Sequence, residues 1–239
     1  MKKLNTHIYF LAVLLILPLM AQPIKAFADE GEVRNRSIGE FSELSVGGAF
    51  EVILTQGNSY KLKVEATEEQ HEKVITELRG DRLRIRYESK RWEKNRSKIT
   101  LYITYKNLEE LNISGACHVK GETPLKGDHL GIEFSGASSA NLELDVKSLK
   151  AKISGAGDLT LEGKADEQWV NSSGAGSYKA LALESRKANV KSSGAGSIRV
   201  HVTEEFEANA SGAASIRFKG NPEKFYANTT GAANVRQVN

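Results

Sequence analysis

Ser-Gly-Ala recurs along the C-terminal half of the chain, at Ser114, Ser135, Ser154, Ser173, Ser193 and Ser211, and Thr-Gly-Ala follows at Thr230. The intervals are 21, 19, 19, 20, 18 and 19 residues. A period this constant means one supersecondary unit stacked on copies of itself. The unit is too short for a helix–turn–helix repeat and lacks the Leu/Asn frame of a leucine-rich repeat. It fits one coil of a parallel β-helix, in which each strand pairs with its equivalent one coil on, about 4.8 Å away.

Aligned on the Ser or Thr, the copies resolve into columns. Three residues before it stand Leu111, Ile132, Ala151, Val170, Val190, Ala208 and Ala227, all apolar, while the next column, from Asn112 and Glu133 to Asn228, is polar throughout. Five residues after it the column is apolar again, from Val119 and Ala140 to Val235. Alternation at period two on both sides of the Gly-Ala step predicts two strands per coil, each with one buried face, bending where the backbone lacks bulk. Immediately before the Ser, Ile113, Phe134 and Ile153 give way to Ser172, Ser192, Ala210 and Thr229. This predicts a thinner, partly polar interior toward the C-terminus, with hydroxyls bonding between coils. The expected architecture is an all-β parallel β-helix of about seven coils over residues 108–239.

Residues 1–28 read as a secretory signal peptide. Lys2 and Lys3 precede an apolar run from Ile8 to Met20, and Ala26-Phe27-Ala28 forms an Ala-x-Ala cleavage pattern before Asp29. Pro18 interrupts the run, which is short for a membrane span, and the mature chain is expected to carry no transmembrane segment. The segment holds Lys2, Lys3 and Lys25 and no acids, so the remainder has thirty basic and thirty acidic residues. That balance argues against nucleic acid as a partner. The single Cys117 has no partner for an intramolecular disulfide and reads as a small buried residue.

Residues 29–107 lack a clear Ser-Gly-Ala copy and are read as a β-rich cap over the end of the solenoid, continuous with the repeats. Phe50–Leu54 and Tyr60–Val64 predict two strands around a Gln56-Gly57-Asn58 turn. Thr67 with Gln70 reads as a capping box. It opens a short helix with Val74, Ile75 and Leu78 on one face, ended by Gly80. Arg82–Tyr87 alternates as a strand, and Val46-Gly47-Gly48 is a degenerate copy of the repeat.

Several of these features together resemble the putative auto-transporter adhesin head GIN domain family. They are the opening Phe41-x-x-Leu44-x-Val46-Gly47-Gly48-x-Phe50-x-Val52-x-Leu54-x-Gln56-Gly57, then Leu83-x-Ile85, Leu108-x-x-Leu111-x-Ile113-Ser114-Gly115-Ala116, and the run of Ser-Gly-Ala copies. The resemblance covers residues 38–239. It implies a right-handed β-helix, bacterial export and adhesin-like behaviour, and it brings no catalytic residues. The last coil runs directly to Asn239, and no translocator barrel is expected within this polypeptide.

Lys179, Arg199, Arg217 and Arg236 occupy one outward column in four consecutive coils, with Ser177, Ser197 and Ser215 two residues earlier. Stacked like charges repel, and an anionic polymer lying along the axis would relieve them. The alternative is a solvated face neutralised by acids such as Glu205 and Glu207. Arg82, Arg84 and Arg86 form a second basic face within the stretch Arg79–Lys98, either for docking an anionic surface or as gatekeeping charge on an edge strand. Glu122, Glu143 and Glu162 share a column that suits Ca²⁺ or a glycosidase pair, or simply a solvated face. Arg79-Gly80-Asp81 spells an integrin-type tripeptide, but its Gly already serves the helix end. The His residues show no metal-ligand spacing, and no nucleotide or nucleophile motif is present. The reading is therefore an exported, periplasmic or surface binding protein without cofactor, metal or catalytic residues. Its expected partner is an anionic glycan or envelope protein, and one alternative is a structural envelope module that self-associates through its C-terminal coil. A β-helical carbohydrate-active enzyme is the other alternative, disfavoured because coils of 18–21 residues cannot build groove walls.

Overall fold

The computed structural model describes residues 31–88 and 97–239. The signal segment and the Lys90–Arg96 part of the basic stretch, Trp92 included, lie outside the described residues. The chain forms a β-solenoid of about 7 turns with one short helix. In chain order the elements are β1 (Glu32–Arg36), β2 (Glu43–Gly48), β3 (Glu51–Gln56), β4 (Lys61–Ala66), α1 (Glu68–Lys73), β5 (Val74–Arg79), β6 (Arg82–Tyr87), β7 (Thr100–Tyr105), β8 (Glu110–Gly115) and β9 (His118–Gly121). The long strands follow, β10 (Leu125–Gly136), β11 (Ser139–Gly155), β12 (Asp158–Ser172), β13 (Ser177–Ser192) and β14 (Ser197–Ala210), then β15 (Ser215–Lys219), β16 (Lys224–Thr229) and β17 (Asn234–Gln237).

The aligned columns are the observed register. Ser135 pairs with Ser114 and Ser154, and parallel ladders carry the pattern through to Asn228 and Arg236. Leu111, Ile132, Ala151, Val170, Val190 and Ala208 are buried. The Gly-Ala steps stack in one line, Gly48, Gly115, Gly136, Gly155, Gly174, Gly194, Gly212 and Gly231, each after Gly48 lying against the glycine of the preceding coil. The amide after each glycine donates to that preceding carbonyl, as in Ala175 N to Gly155 O at 2.9 Å. A side chain on any of the glycines after Gly48 would crowd that carbonyl, which is why the corner tolerates no Cβ. Unequal coil lengths are absorbed away from the corner: the 20-residue coil bulges past Ala180, and the ladder slips between Thr160 and Glu162.

The interior does become polar toward the C-terminus, but not as the shrinking column suggests. Ser172 and Ser192 are buried, yet their hydroxyls find no partner among the described residues. Their own carbonyls are taken by Ser193 N and Ser211 N at 2.9 and 2.8 Å. Inter-coil bonding runs instead through Gln168 and Ser185. Gln168 Nε2 donates to Ser185 Oγ at 2.6 Å, Tyr178 OH donates to Gln168 Oε1 at 2.9 Å, and Ser185 Oγ donates to His201 O at 2.7 Å.

The N-terminal region departs from sequence order. β2 pairs in parallel with β8 on one side and β6 on the other, and β3 likewise sits between β9 and β7. Residues 43–56 thus form a true coil, with Gly48 in register with Gly115, inserted between the coil of β6 and β7 and the coil of β8 and β9. The expected β3–β4 hairpin is not made: β7 intervenes, and β4 pairs antiparallel with β7 and β1. The capping box of Thr67 and Gln70 is present, but the helix ends at Lys73. Val74–Arg79 is a strand, because it pairs antiparallel with β6 across a two-residue Gly80-Asp81 turn. Gly80, at φ 58°, serves that turn rather than a helix end. β1, β4 and β5 thereby extend the stack past the first coil with antiparallel strands.

Candidate functional site

Lys179, Arg199, Arg217 and Arg236 stand in register on β13, β14, β15 and β17. They point outward because Tyr178, Ile198 and Ile216, one residue before each of the first three, are fully buried. Lys179 Nζ lies 3.5 Å from Asp158 Oδ1. Arg199, Arg217 and Arg236 have no carboxylate partner among the described residues, and Arg199 Nε is buried without an acceptor. Ser177, Ser197 and Ser215 form the adjacent outward column, which continues to Asn234.

At several other positions the chain sets opposite charges against each other between coils. Glu133 faces Lys152 at 2.8 Å, Asp128 faces Lys147 at 2.8 Å, and Glu204 faces Arg186 at 2.7 Å. Glu205 pairs with Lys224 at 3.8 Å, and Glu207 accepts from Asn189 and Asn209 at 2.6 and 2.9 Å. Both acids belong to the strands before the corner, so they do not neutralise the cation column as the sequence suggests.

The second basic face is different. β6 is covered on both sides, by β2 and β5, and is not an edge strand. Arg82 Nε meets Glu43 at 2.6 Å, and Arg86 lies 3.5 Å from Glu77 and 3.8 Å from Glu88. Arg84 is exposed, with no carboxylate partner among the described residues. Of the carboxylate column, Glu143 and Glu162 are in register, whereas Glu122 takes the Thr55 hydroxyl at 3.2 Å. Among the described residues no group of three or more His, Cys, Asp or Glu is placed to hold a metal ion. Cys117 is buried, and burial pushes its thiol pKa up, away from the reactive thiolate.

The profile of the putative auto-transporter adhesin, head GIN domain, matches residues 40–222, from the inserted N-terminal coil through six of the seven repeat steps. The chain belongs to this family. A crystal structure of a putative adhesin from Bacteroides fragilis NCTC 9343 is 22% identical, covers 88% of this chain and 98% of its own, and superposes with a TM-score of 0.82. A putative lipid binding protein from Parabacteroides distasonis ATCC 8503 is 21% identical over 89% and 98%, with a TM-score of 0.71. A putative adhesin from Parabacteroides merdae ATCC 43184 is 22% identical over the same shares, with a TM-score of 0.70. At these identities the likeness shows the fold alone. No curated protein is significantly similar to the chain.

On the strands before the corner, this GIN domain exposes an aromatic column. Lys150, Trp169, Asn189, Glu207 and Tyr226 stand in register on β11, β12, β13, β14 and β16. Trp169 is 40% exposed and Tyr226 62%. Beside Trp169 opens a groove of about 350 Å³, where Gly131 leaves a gap in the column, and Glu133, Lys152 and Asn171 form its polar edge. A second depression, about 230 Å³, lies on the other side of the indole, toward Glu207. Glu110 lies over Gly131, and burial, with the charges of Glu43 and Glu133, raises its pKa. This column is four residues before the repeat Ser, and aligning it would have found Trp169 and Tyr226 in the sequence.

Proposed function

We propose that this GIN domain is an exported, non-enzymatic binding protein that holds an acidic envelope glycan along the column Lys179, Arg199, Arg217 and Arg236. The observation that carries the reading is the contrast between columns. Several cations elsewhere on the solenoid sit against an acid one coil away, as Lys152 does against Glu133 and Arg186 against Glu204, but three consecutive arginines stacked in this one column do not. They repel one another at one strand spacing, and carboxylates or sulfates of a polymer along the axis would relieve that with charge-assisted hydrogen bonds. Ser177, Ser197 and Ser215 add hydroxyls on the same face. The adhesin names of the similar structures agree with a binding role, and the residue 1–28 signal supplies the export route.

The test replaces all four cations with Ser and measures retention on heparin and on an acidic bacterial polysaccharide at low and physiological salt. Retention should fall for the variant, and for the wild type as salt screens the exposed charges. Stability should stay the same or rise slightly. If retention is unaffected while changes at Arg82, Arg84 and Arg86 abolish it, β6 is the docking face and the proposal fails. Turnover of the polysaccharide that disappears in Glu143→Gln would instead establish the enzymatic alternative.

A further inference from the structure

We infer a second binding site, independent of the cation column, for an uncharged glycan chain running along the axis over Trp169 toward Tyr226. Trp169 is one of two tryptophans in the chain and stands mid-solenoid between β11 and β13, exposed on the outer face. An exposed indole offers an apolar face with a polar edge, which suits the C–H face of a pyranose. Large exposed hydrophobics are few among the described residues, and two of them share this one column.

The surroundings select the ligand's chemistry. Glu133 and Lys152 are paired at 2.8 Å, Glu167 and Lys187 at 3.5 Å, and Glu207 is held by Asn189 and Asn209. Acids and bases are interspersed on this face, with Glu110 and Glu133 among Lys150, Lys152 and Lys191 at the groove and Glu207 beyond it, so no single-sign column is offered and a polyhydroxylated neutral ligand is favoured over a polyanion. A bilayer is disfavoured by the same charges, since burying them in an apolar phase is costly. The groove beside Trp169, about 350 Å³, falls within the usual range for small-ligand sites. Gly131 makes the room, since a side chain there would collide with the Glu110 carboxylate. Trp169 and Tyr226 lie three strand spacings apart, about 14 Å. The length of that track fits an oligosaccharide rather than a single sugar, with Asn189 between the two rings to take its hydroxyls.

The experiment uses the Trp92→Phe protein, in which Trp169 is the only fluorophore of its kind. Its emission is titrated with neutral oligosaccharides of α-glucan, β-glucan, mannan and N-acetylglucosamine type, and with phosphatidylethanolamine/phosphatidylglycerol vesicles. The expected result is a saturable change with at least one oligosaccharide, unaltered by salt. Calorimetry should show that ligand bound at least about tenfold more weakly by Trp169→Ala. Asn189→Ala should weaken it less, and the four-cation-to-Ser variant should bind it normally. Because the Trp169 ring is half in solvent, Trp169→Ala leaves the core intact, and circular dichroism checks that it folds. No emission change with any oligosaccharide, affinity retained in Trp169→Ala, or a change with vesicles alone would each overturn the inference, the last in favour of a membrane-facing surface. Loss of acidic-glycan retention in the cation variant would leave this outcome untouched, so the two sites fail separately.

Discussion

Replacing Gly174 with Ala tests whether the corner glycines are required for close approach or for backbone freedom. The new Cβ would stand 2.7 Å from Gly155 N and 2.9 Å from its carbonyl carbon, and nearer still to the carbonyl oxygen. Restoring normal contact means parting the two coils by about 0.7 Å or more. The bonds from Ala175 N to Gly155 O and from Ser177 N to Gly157 O, both 2.9 Å, would then stretch beyond useful length. Two lost bonds at about 1 kcal/mol each, plus roughly 1–3 kcal/mol of overpacking, give a cost of about 3–5 kcal/mol. For a chain of this size that is roughly a 10 °C fall in Tm. Gly80 is the control: it has φ 58° but nothing within 4 Å of a Cβ. Gly80→Ala pays only for left-handed backbone, about 1 kcal/mol. Urea melts of both variants decide the matter. If Gly174→Ala costs no more than Gly80→Ala, close packing of the corner is not what demands glycine.

Two further substitutions probe register and interior. Leu159 is fully buried and Thr160 is exposed opposite Lys179, so Leu159→Asp should unfold the chain at a cost of several kcal/mol while Thr160→Asp stays within about 0.5 kcal/mol of wild type, and equal melting temperatures would contradict the alternation. Tyr105 is buried with its hydroxyl unpartnered among the described residues, so Tyr105→Phe should stabilise by roughly 1 kcal/mol at neutral pH. Burial raises the Tyr105 phenol above its ordinary value of 10.0, so the folded state keeps a proton that the unfolded state has lost above about pH 10. Its contribution is therefore complete below that pH and declines as pH rises, and Tyr105→Phe should flatten the alkaline fall in a urea-melt pH series.

The repeat coils are legible because every inward position recurs. A column slipped by one residue would put Asn141 and Lys179, or Ser139 and Ser177, beside Leu159, and the Ser-Gly-Ala step fixes which residues share a coil. The 20-residue interval is equally readable after the fact, since an extra residue in a parallel ladder must bulge. Val74–Arg79 misleads because Val74, Ile75 and Leu78 fit one helix face, while the competing signals are the β-branched run Val74-Ile75-Thr76 and the Gly80-Asp81 turn before an alternating strand. The insertion of the β2–β3 coil between later ones leaves no local trace, because parallel pairing is a choice among equivalent edges made over about forty residues or more. The cation column follows directly from alignment, but its lack of partners does not, because Glu205 and Glu207, though on β14 with Arg199, lie at its far end in different columns, beside Lys224 and Asn189.

Inward side chains and backbone hold this solenoid together, so its outward columns can differ from one lateral sheet to the other without disturbing the fold. After the corner, three arginines stack without counter-charges; before it, charges of both signs surround two exposed rings. Ionic strength separates the two chemistries. Screening weakens contacts with exposed, unpaired cations, but it has no such hold on an apolar ring face or on neutral hydroxyls. A ligand using only the arginines should lose most of its affinity between low and physiological salt, and one using only Trp169 should lose little. An acidic glycan that kept its affinity at high salt would have to engage the indole as well, and Trp169→Ala would then restore its full salt dependence.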